Sequence, residues 1–392
     1  MVTPSLPSPL HRVRSLNLIK AFKKLGYKVF LFSLLVHKEE KGYLDEARGL
    51  IDDWEVVEYP MIKGVKKILK QIYYWPVYPW EYLFLRDQKI VKDLDYFARR
   101  VKPDLVYVKR LRTLAISEEL IKDYPTLLDT TDAMSRFYLG QKELVRGWQR
   151  LISWHEAWGY RRLEERVKDK YPNLNWVTCS LSDAKYLKEQ VGVTKIWVWP
   201  NVVEDVDEKS DVTKGQVVMF SGLMDKAINY TAALEIINKI WPRVRKKLPK
   251  AKLWIVGPRP VSQLKRTDGQ KGVRVLGYVK DIRLKMKKAR VYLAWGKTVA
   301  GTRNKILQAA AWGVPVVAKQ EMLQGLERDE GVVVVGEDEK KAAEWVVKLI
   351  KDEKLSRQVI NRQREWVRKN YSLERLCQVI EKDLKLRLHN EV

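Results

Sequence analysis

The chain has 392 residues, of which 46% are apolar and 32% charged. That is enough for two buried cores, and it excludes global disorder, collagen and simple repeats. Two cysteines and four histidines, none at ligand spacing, exclude a disulfide scaffold, leave little room for a metal site and indicate a reducing compartment. The net charge of +26 favours anionic partners such as nucleotide phosphates, nucleic acid or an acidic membrane face, with a solvated basic surface as the alternative.

The N-terminus begins abruptly, because Met1–Thr3 runs directly into the proline-rich stretch Pro4–Pro9. No apolar signal core follows, so secretion is not indicated. If a strand opens the fold, we expect it to be two or three residues long, with the true start of the protein upstream.

In the first half of the chain, β-branched apolar runs alternate with amphipathic helical patterns. This alternation is typical of a parallel sheet with helices on both faces. Helices are predicted over 16–25 and 151–170. The predicted strands are 28–36, 103–108, 125–129, 176–180 and 196–199.

An acidic, turn-rich stretch at 200–215 is the best candidate linker. The same rhythm restarts after it, so we predict two doubly wound, Rossmann-like α/β domains over 1–203 and 204–371, facing a central cleft, with a helix over 372–392. Ligands of such folds bind at the carboxyl ends of the strands. The predicted strands of the second domain are 217–221, 252–257, 273–276, 291–294, 314–318 and 331–335.

The strongest candidate site lies at residues 299–317, where a polar loop precedes a helix that we expect to begin near Thr302. Thr302 can cap this helix, and Gly301 allows a ligand to approach the backbone closely. Cations at a helix N-terminus oppose the helix dipole, so Arg303 and Lys305 there favour a bound anion. The segment predicts a diphosphate site, and an ordinary capped helix is the alternative.

This segment resembles the nucleotide-sugar site of the family 4 glycosyltransferases, and in particular a bacterial subgroup that reads Gly-Thr-Arg-Asn-Lys-Ile-Leu-Glu at this point. The resemblance extends over nearly the whole chain. It implies the GT-B fold, with the C-terminal helix crossing back to the N-terminal domain. The further matching segments are 103–107, 198–201, 220–225 with Asn229, 253–257 and 277–281.

The resemblance also implies an activity. A sugar would pass, with retention of stereochemistry, from a nucleoside-diphosphate sugar to a saccharide or lipid-linked acceptor in cell-envelope or exopolysaccharide synthesis, without a metal or other cofactor. Lys226 and Arg303 would stabilise the leaving diphosphate, and Asp132 would act near the reacting sugar as a base or orienting group; an Asx turn capping the next helix is the alternative for Asp132. The implied donor-binding residues are Gly222, Asn229, Gly301, Thr302, Asn304, Lys305 and Gln308.

The sequence departs from the family pattern at several positions. The two family glutamates of the donor helix are replaced by Ala300 and Gln308. The glycine loop of the N-terminal domain is absent, so Arg12 and Arg14 either contact phosphate or cap the sheet edge. Lys109 stands near a family histidine, on the acceptor or phosphate side. These departures support an alternative, a non-catalytic GT-B relative that binds nucleotide sugars or polyanions; a sugar epimerase of the same fold is a further one.

Two other motifs favour structural roles. Asp205-Val206-Asp207 spells the metal-binding motif of the other glycosyltransferase fold, but it lies in the predicted linker, where we expect a solvated acidic segment and no metal. His155 lies inside a predicted helix and is expected to be packed or at the surface.

The segment 61–87 is the best candidate for contact with a membrane or an acceptor, because a basic amphipathic helical pattern precedes a run of Trp and Tyr. A core-facing helix with an aromatic acceptor loop is the alternative. No apolar run approaches 18 residues, so we expect a cytoplasmic protein, peripheral to the inner face of the cell membrane if 61–87 binds lipid. No nucleic-acid-binding motif is present, so nucleic acid is not expected as a partner.

Overall fold

The computed structural model describes residues 1–8, 12–36, 42, 47–60, 72–75, 77–203, 206, 215–297, 304–327 and 334–390. The chain divides into two compact units. The first unit comprises Met1–Val202 with Leu373–Val392, and the second comprises Val203–Thr298 with Thr302–Ser372.

The first unit is built on a parallel sheet in the order β3-β2-β1-β4-β5-β6-β7. Its first strand is only two residues long yet central, because Val2 pairs with both Phe32 and Val108. The edge strand β3 was not predicted. The strands are β1 Val2–Thr3, β2 Phe30–Leu35, β3 Asp53–Glu58, β4 Val106–Lys109, β5 Thr126–Thr131, β6 Asn175–Thr178 and β7 Ile196–Val198.

Helices cover both faces of this sheet, as the alternating pattern predicts. Ser180 caps the helix after β6, because its Oγ accepts the Asp183 N–H. The helices are Val13–Lys24, Trp80–Leu85, Gln88–Val101, Leu114–Ser117, Leu120–Asp123, Met134–Lys142, Trp148–Lys170, Leu181–Tyr186 with a π turn at Leu187–Val191, and Leu373–Asn390, with 3-10 turns at Ile72–Tyr74 and Leu111–Thr113.

Successive strand residues of the first unit point into two separate cores. Phe32 of β2 packs into one core and Leu31 into the other. Because side chains alternate along a strand, each parallel strand buries both faces. The last helix joins the second of these cores through Ile380, and Trp199 Nε1 donates to Asp383 Oδ2 over 2.9 Å.

The second unit has its own parallel sheet, in the order β10-β9-β8-β11-β12-β13. Its strands are β8 Val217–Ser221, β9 Lys252–Val256, β10 Val273–Gly277, β11 Val291–Ala294, β12 Val316–Lys319 and β13 Val334–Gly336. Its helices are Ala227–Glu235, a π turn at Ile236–Ile240, Trp241–Lys247, Ser262–Lys265, Ile282–Met286, Asn304–Ala311, Glu339–Lys351 and Glu353–Tyr371, with 3-10 turns at Gln270–Gly272 and Gln320–Leu323.

The polar ends of several helices in the second unit are satisfied by aspartates. Asp281, Asp338 and Asp352 each accept a backbone N–H from the first turn of the helix that follows. The two faces of the sheet bury separate cores here as well, with Phe220 in one and Met219 in the other. No helix in the described residues is both long and apolar enough to cross a membrane.

Candidate functional site

Glycines lock the carboxyl ends of β8, β9 and β10 together in the second unit. Gly222 donates its N–H to Val256 O over 3.0 Å, and Gly257 donates to Gly277 O over 2.8 Å. Gly257 has φ +147°, and a Cβ there would lie 1.7 Å from Gly222 O. Only glycine fits such an approach. Gly222, Gly257 and Gly277, at the ends of three adjacent strands, therefore form a closely packed backbone surface, named here the glycine floor.

Asn229 lies directly over this floor. A Cβ on Gly222 would lie 2.6 Å from Asn229 Cγ, so the glycine makes room for the amide. Asn229 Nδ2 donates to Leu223 O over 3.1 Å. This bond fixes the loop after β8 and leaves Asn229 Oδ1 to serve as an acceptor.

Lys305 reaches the same place from the first turn of the helix Asn304–Ala311. Its Nζ donates to Asn229 Oδ1 over 3.4 Å and to Ser221 O over 3.3 Å. Nζ also lies 5.0 Å from the centroid of the Phe220 ring. The structure thus brings the predicted donor residues Gly222, Asn229 and Lys305 together, although Lys305 is 76 residues from Asn229 in sequence.

The remaining predicted donor residues lie around this cluster or outside the described residues. Lys226 is exposed at the position before helix Ala227–Glu235. Asn304 is exposed, and Gln308 is half-buried one helical turn beyond Lys305. Gly301, Thr302 and Arg303 fall outside the described residues, so the predicted helix start near Thr302 does too; the described helix begins at Asn304.

Sequence reasoning missed an ion pair beside Lys226. Arg259 Nε donates to Asp225 Oδ2 over 2.7 Å, linking the loops after β8 and β9. This hydrogen bond, the largest cause, lowers the pKa of Asp225. The sequence could have indicated this pair, because Asp225 and Arg259 follow adjacent strands, and the carboxyl ends of parallel strands lie at the same edge of a sheet.

A second polar cluster lies in the first unit, around Asp129 at the end of β5. Asp129 is fully buried, and its Oδ2 accepts hydrogen bonds from Arg14 Nε over 3.0 Å, from Lys109 Nζ over 3.5 Å and from the Tyr107 hydroxyl. Its Oδ1 accepts the Thr131 N–H over 2.6 Å. Burial raises the pKa of Asp129, but Arg14 and Lys109 outweigh burial and hold that pKa well below its usual range.

Arg14 is a cross-link within the first unit. Its Nη1 donates to Trp199 O over 2.8 Å and to Asn201 Oδ1 over 3.1 Å, while its Nε holds Asp129. These bonds join β5 to the segment that follows β7. Nη2 of Arg14 is buried and has no hydrogen-bond partner in the described part of the chain. Arg12 is half-buried, and its Nη1 donates to Leu6 O over 3.5 Å.

Lys109 is buried beside two other cations. Burial, the largest cause, and the charges of Arg14 and Arg110 lower the pKa of Lys109 to about 8, although Asp129 opposes them. Nζ also donates to Thr131 Oγ1 over 3.3 Å. A lysine that holds its charge this weakly makes the stability of the first unit depend on pH.

The expected result is a gain in wild-type stability between pH 8 and pH 10 relative to Lys109→Met. In that range the unfolded state binds a proton at Lys109 that the folded state has lost, so the free energy of unfolding rises with pH. We expect a relative gain of about 2 kcal/mol, measured by urea unfolding at each pH. The exposed Lys188→Met is the matched control, and an equal pH response of the two variants would contradict the assignment.

Asp132 follows β5 and is half-buried. It does not cap the next helix, because the Ser135 N–H there donates instead to Glu164 Oε1 over 3.3 Å. Asp132 Oδ1 accepts a hydrogen bond from Cys179 Sγ over 3.5 Å. Burial, the largest cause, and the nearby charge of Asp183 raise the pKa of Asp132, which favours a carboxyl able to take or hold a proton.

Backbone strain accompanies these residues and was not predicted. Arg110, directly after β4, has φ +67°, and Thr131, at the end of β5, has φ +66°. Side chains other than glycine rarely adopt this conformation, and such strain often occurs at functional sites. The two strained residues adjoin Lys109 and Asp132 in sequence, so the ends of β4 and β5 carry both the charge and the strain.

The other candidates divide between packing and undescribed segments. His155 Nε2 lies 2.7 Å from Trp75 O, and its ring packs against that of Trp75 at a tilt of 34°, as expected for a packed histidine. Two of these candidates lie outside the described residues: the basic helical pattern at 61–71, and the Asp205-Val206-Asp207 motif except for Val206. In the part of the chain that the structure describes, no group of His, Cys, Asp and Glu side chains is arranged to hold a metal ion.

Comparison with known proteins supports the fold and places a family match over the second unit. Residues 215–352 match the model of the family described as Glycosyl transferases group 1. The matched segment contains Gly222, Asn229 and Lys305. No curated protein matches the chain in sequence.

Solved structures resemble the chain over nearly its full length. TarM from S. aureus is 10% identical with a TM-score of 0.69, covering 98% of this chain and 97% of TarM. HepE from Anabaena, in complex with UDP, is 14% identical with a TM-score of 0.64 over 98% of both chains. Sucrose-phosphate synthase from Thermosynechococcus elongatus is 14% identical with a TM-score of 0.61, covering 100% and 99%. The predicted GT-B fold, with two Rossmann-like α/β domains, is therefore confirmed.

Proposed function

We propose that the chain is a retaining glycosyltransferase that moves a sugar from a nucleoside-diphosphate sugar to a saccharide or lipid-linked acceptor in cell-envelope or exopolysaccharide synthesis. The observation that carries the proposal is the convergence of Lys305 and Asn229 on the glycine floor at Gly222, inside the segment that matches the glycosyltransferase family. Names of the similar structures add support, since HepE is described in complex with UDP-glucose and TarM with UDP and alpha-GlcNAc-glycerol.

The donor side of the proposed reaction needs a site for a diphosphate. The positive dipole end of the helix that carries Lys305 attracts an anion, and Lys305 adds a positive charge beside it. Lys305, with Lys226 and Arg303, would stabilise the negative charge that develops on the leaving diphosphate. The proposal therefore assigns this charge stabilisation to protein cations and requires neither a metal nor another cofactor.

Gln308 is assigned to the ribose of the donor nucleotide. Its amide donates and accepts hydrogen bonds, but it lacks the stronger charge-assisted bond that a carboxylate makes to hydroxyls. Its position one turn beyond Lys305 puts the two side chains on one helix face.

The acceptor side is assigned to the first unit. Asp132 is the proposed base or orienting group, because burial and Asp183 raise its pKa and no capping bond occupies it. Lys109, Arg12 and Arg14 are assigned to the acceptor or phosphate side. The bonds of Arg14 to Asp129 and Trp199 make it a positioning residue there.

Ligand-induced thermal stabilisation tests the donor site first. UDP, GDP, ADP, dTDP and CMP are added in turn, followed by the common sugar nucleotides that contain them. A ligand at 100 times its Kd stabilises the folded state by about 2.7 kcal/mol, which is readily measured. We expect UDP to raise the Tm, and no response to any nucleotide by a folded sample would contradict the proposal.

Lys305→Met is expected to weaken binding of the responding nucleotide by about 10- to 100-fold, because a charged hydrogen bond to phosphate is lost. Turnover of the sugar nucleotide is expected to fall by about 10²- to 10³-fold. Lys340→Met is the matched control, since Lys340 is exposed and is likewise the second residue of a helix, Glu339–Lys351. Equal affinities for the two variants would remove Lys305 from the site.

Gln308→Glu separates an active enzyme from the alternative, a non-catalytic relative that binds nucleotide sugars. If the site has lost activity through this residue, the carboxylate restores turnover strongly. We expect the opposite, a loss of turnover, because the proposal treats Gln308 as the residue that the present donor requires. The measurement is release of nucleoside diphosphate from the responding sugar nucleotide.

A further inference from the structure

The helix Trp148–Lys170 of the first unit presents large apolar side chains to solvent over its first three turns. Trp148 is 68% exposed, Leu151 69% and Trp154 56%, and Trp158 is also exposed. Their spacing of three, six and ten residues from Trp148 places them on the side of the helix opposite the buried Tyr160. These four residues are named here the aromatic face. Soluble proteins rarely expose such a set together, so this face indicates an interaction surface.

The buried side of the same helix explains why the aromatic face cannot turn inward. Ala157, Tyr160, Leu163 and Val167 recur at helical spacing and are buried. Helix Met134–Lys142 packs against this helix within the first unit. The helix therefore has a complete core-facing stripe, and its exposed tryptophans are additional to it.

The aromatic segment around Trp75 lies beside this face. The Trp75 ring packs against the His155 ring, with centroids 4.6 Å apart and the ring planes tilted by 34°. The chain crosses the helix at Gly159, because a Cβ on Gly159 would lie 3.0 Å from Pro79 N. Tyr73, two residues before Trp75, is 87% exposed. A tyrosine thus extends the exposed aromatic surface beyond the helix itself.

The exposed charge around the aromatic face is positive in sum. Arg146, Arg150 and Arg162 are exposed, and Arg162 lies over the Trp158 ring with its Cζ 4.5 Å from the centroid. Glu156 is buried and accepts the Trp80 N–H. The carboxylates that flank the face are paired, Glu143 with Lys142 over 3.6 Å and Glu165 with Arg161 over 2.6 Å. Tryptophan, tyrosine and arginine combine an apolar body with a polar end, and this combination suits the boundary between water and lipid headgroups.

We propose that the aromatic face docks on an anionic lipid surface, with the tryptophans at headgroup depth and the three arginines on lipid phosphates. The sign of the surplus charge selects a lipid surface over a second copy of this chain, because two copies of a face with a surplus of positive charge would repel each other. This placement goes beyond the proposed function, since it concerns the first unit and requires no donor. It would bring the protein to acceptors anchored in the membrane.

Vesicle co-sedimentation of the full chain tests the proposal. The vesicles are phosphatidylcholine alone and phosphatidylcholine mixed with phosphatidylglycerol. We expect binding to the anionic vesicles, and the variant W148S/L151S/W154S/W158S is expected to lower the partition coefficient by about 100-fold. Replacing the three arginines by glutamine should weaken anionic binding by about 10- to 100-fold and reduce its salt dependence.

The controls separate lipid docking from loss of fold and from self-association. Tyr96→Ser and Tyr278→Ser remove exposed aromatic residues elsewhere and should leave partitioning unchanged. Quenching of wild-type tryptophan fluorescence by brominated anionic lipid checks the depth without any variant, and its absence would overturn the proposal. A serine variant that changes the mass seen by light scattering and leaves vesicle binding intact would also overturn it. Nucleotide-induced stabilisation, measured on the same samples, reports separately on the proposed function.

Discussion

Replacement of Asp129 by asparagine is expected to destabilise the first unit by about 3 to 5 kcal/mol. Asp129 is fully buried and compensates Arg14 and Lys109, both of which reach its Oδ2. The amide cannot balance Arg14, which would remain buried with its charge uncompensated, and Lys109, whose pKa is already lowered to about 8, would lose its proton and with it the bond to Asp129. Because Arg14 also holds Trp199 O, the loss extends from β5 to the end of β7.

The measurement is thermal and urea unfolding of the full chain. Asp95→Asn is the matched control, because it removes the same carboxylate from an exposed ion pair with Arg99 in the same unit. An exposed pair of this kind contributes about 0.2 to 1 kcal/mol. Nucleotide binding by the second unit should survive both substitutions. Equally small effects of the two variants would show that the buried cluster is not a stabilising cross-link.

The pH dependence of Asp129→Asn follows from the direction of the shift. Arg14 and Lys109 hold the pKa of Asp129 below its unfolded value, so the unfolded state binds a proton first as the pH falls. The stability from this carboxylate is fully present above about pH 4 and is lost at lower pH. The difference between wild type and Asp129→Asn should therefore shrink below about pH 4.

The sequence pattern predicted the parallel sheets well because buried parallel strands are apolar throughout. Strand β3 was not predicted because it is not buried on both faces. Residues Asp53–Glu58 lie at the edge of the sheet, where none of them is fully buried, and acidic residues interrupt the apolar ones. An edge strand of this kind is defined by pairing with β2, which is a tertiary fact absent from its own residues.

The candidate site likewise contains residues that local sequence patterns predict and residues that only the fold brings together. Glycines after predicted strands and a basic helix start were visible in the sequence, and they included Gly222 and Lys305. The cluster around Asp129 was not, since Arg14 meets it across 115 residues and Lys109 across 20. The positive φ angles of Arg110 and Thr131 were also invisible, because nothing in these side chains favours that conformation.

Gly257→Ala is expected to be the most damaging single change in the second unit, at about 2 to 6 kcal/mol. The new Cβ would lie 1.7 Å from Gly222 O, and that neighbour is backbone, so no side-chain rotation relieves the contact. The loop after β8 would have to move, and with it the oxygen that accepts from Lys305 and the amide of Asn229. The same substitution should therefore lower the Tm and weaken nucleotide binding together.

Gly269→Ala is the control that distinguishes the effect of the close contact at Gly257 from the effect of its positive φ. Gly269 also has a positive φ, +78°, but a Cβ there would meet nothing within 4 Å. Its replacement costs only the strain of the left-handed conformation, about 1 to 2 kcal/mol, and leaves nucleotide affinity unchanged. If Gly257→Ala behaved like Gly269→Ala in both measurements, the glycine floor would be a feature of the backbone angle alone, and the position of Lys305 and Asn229 would not depend on it.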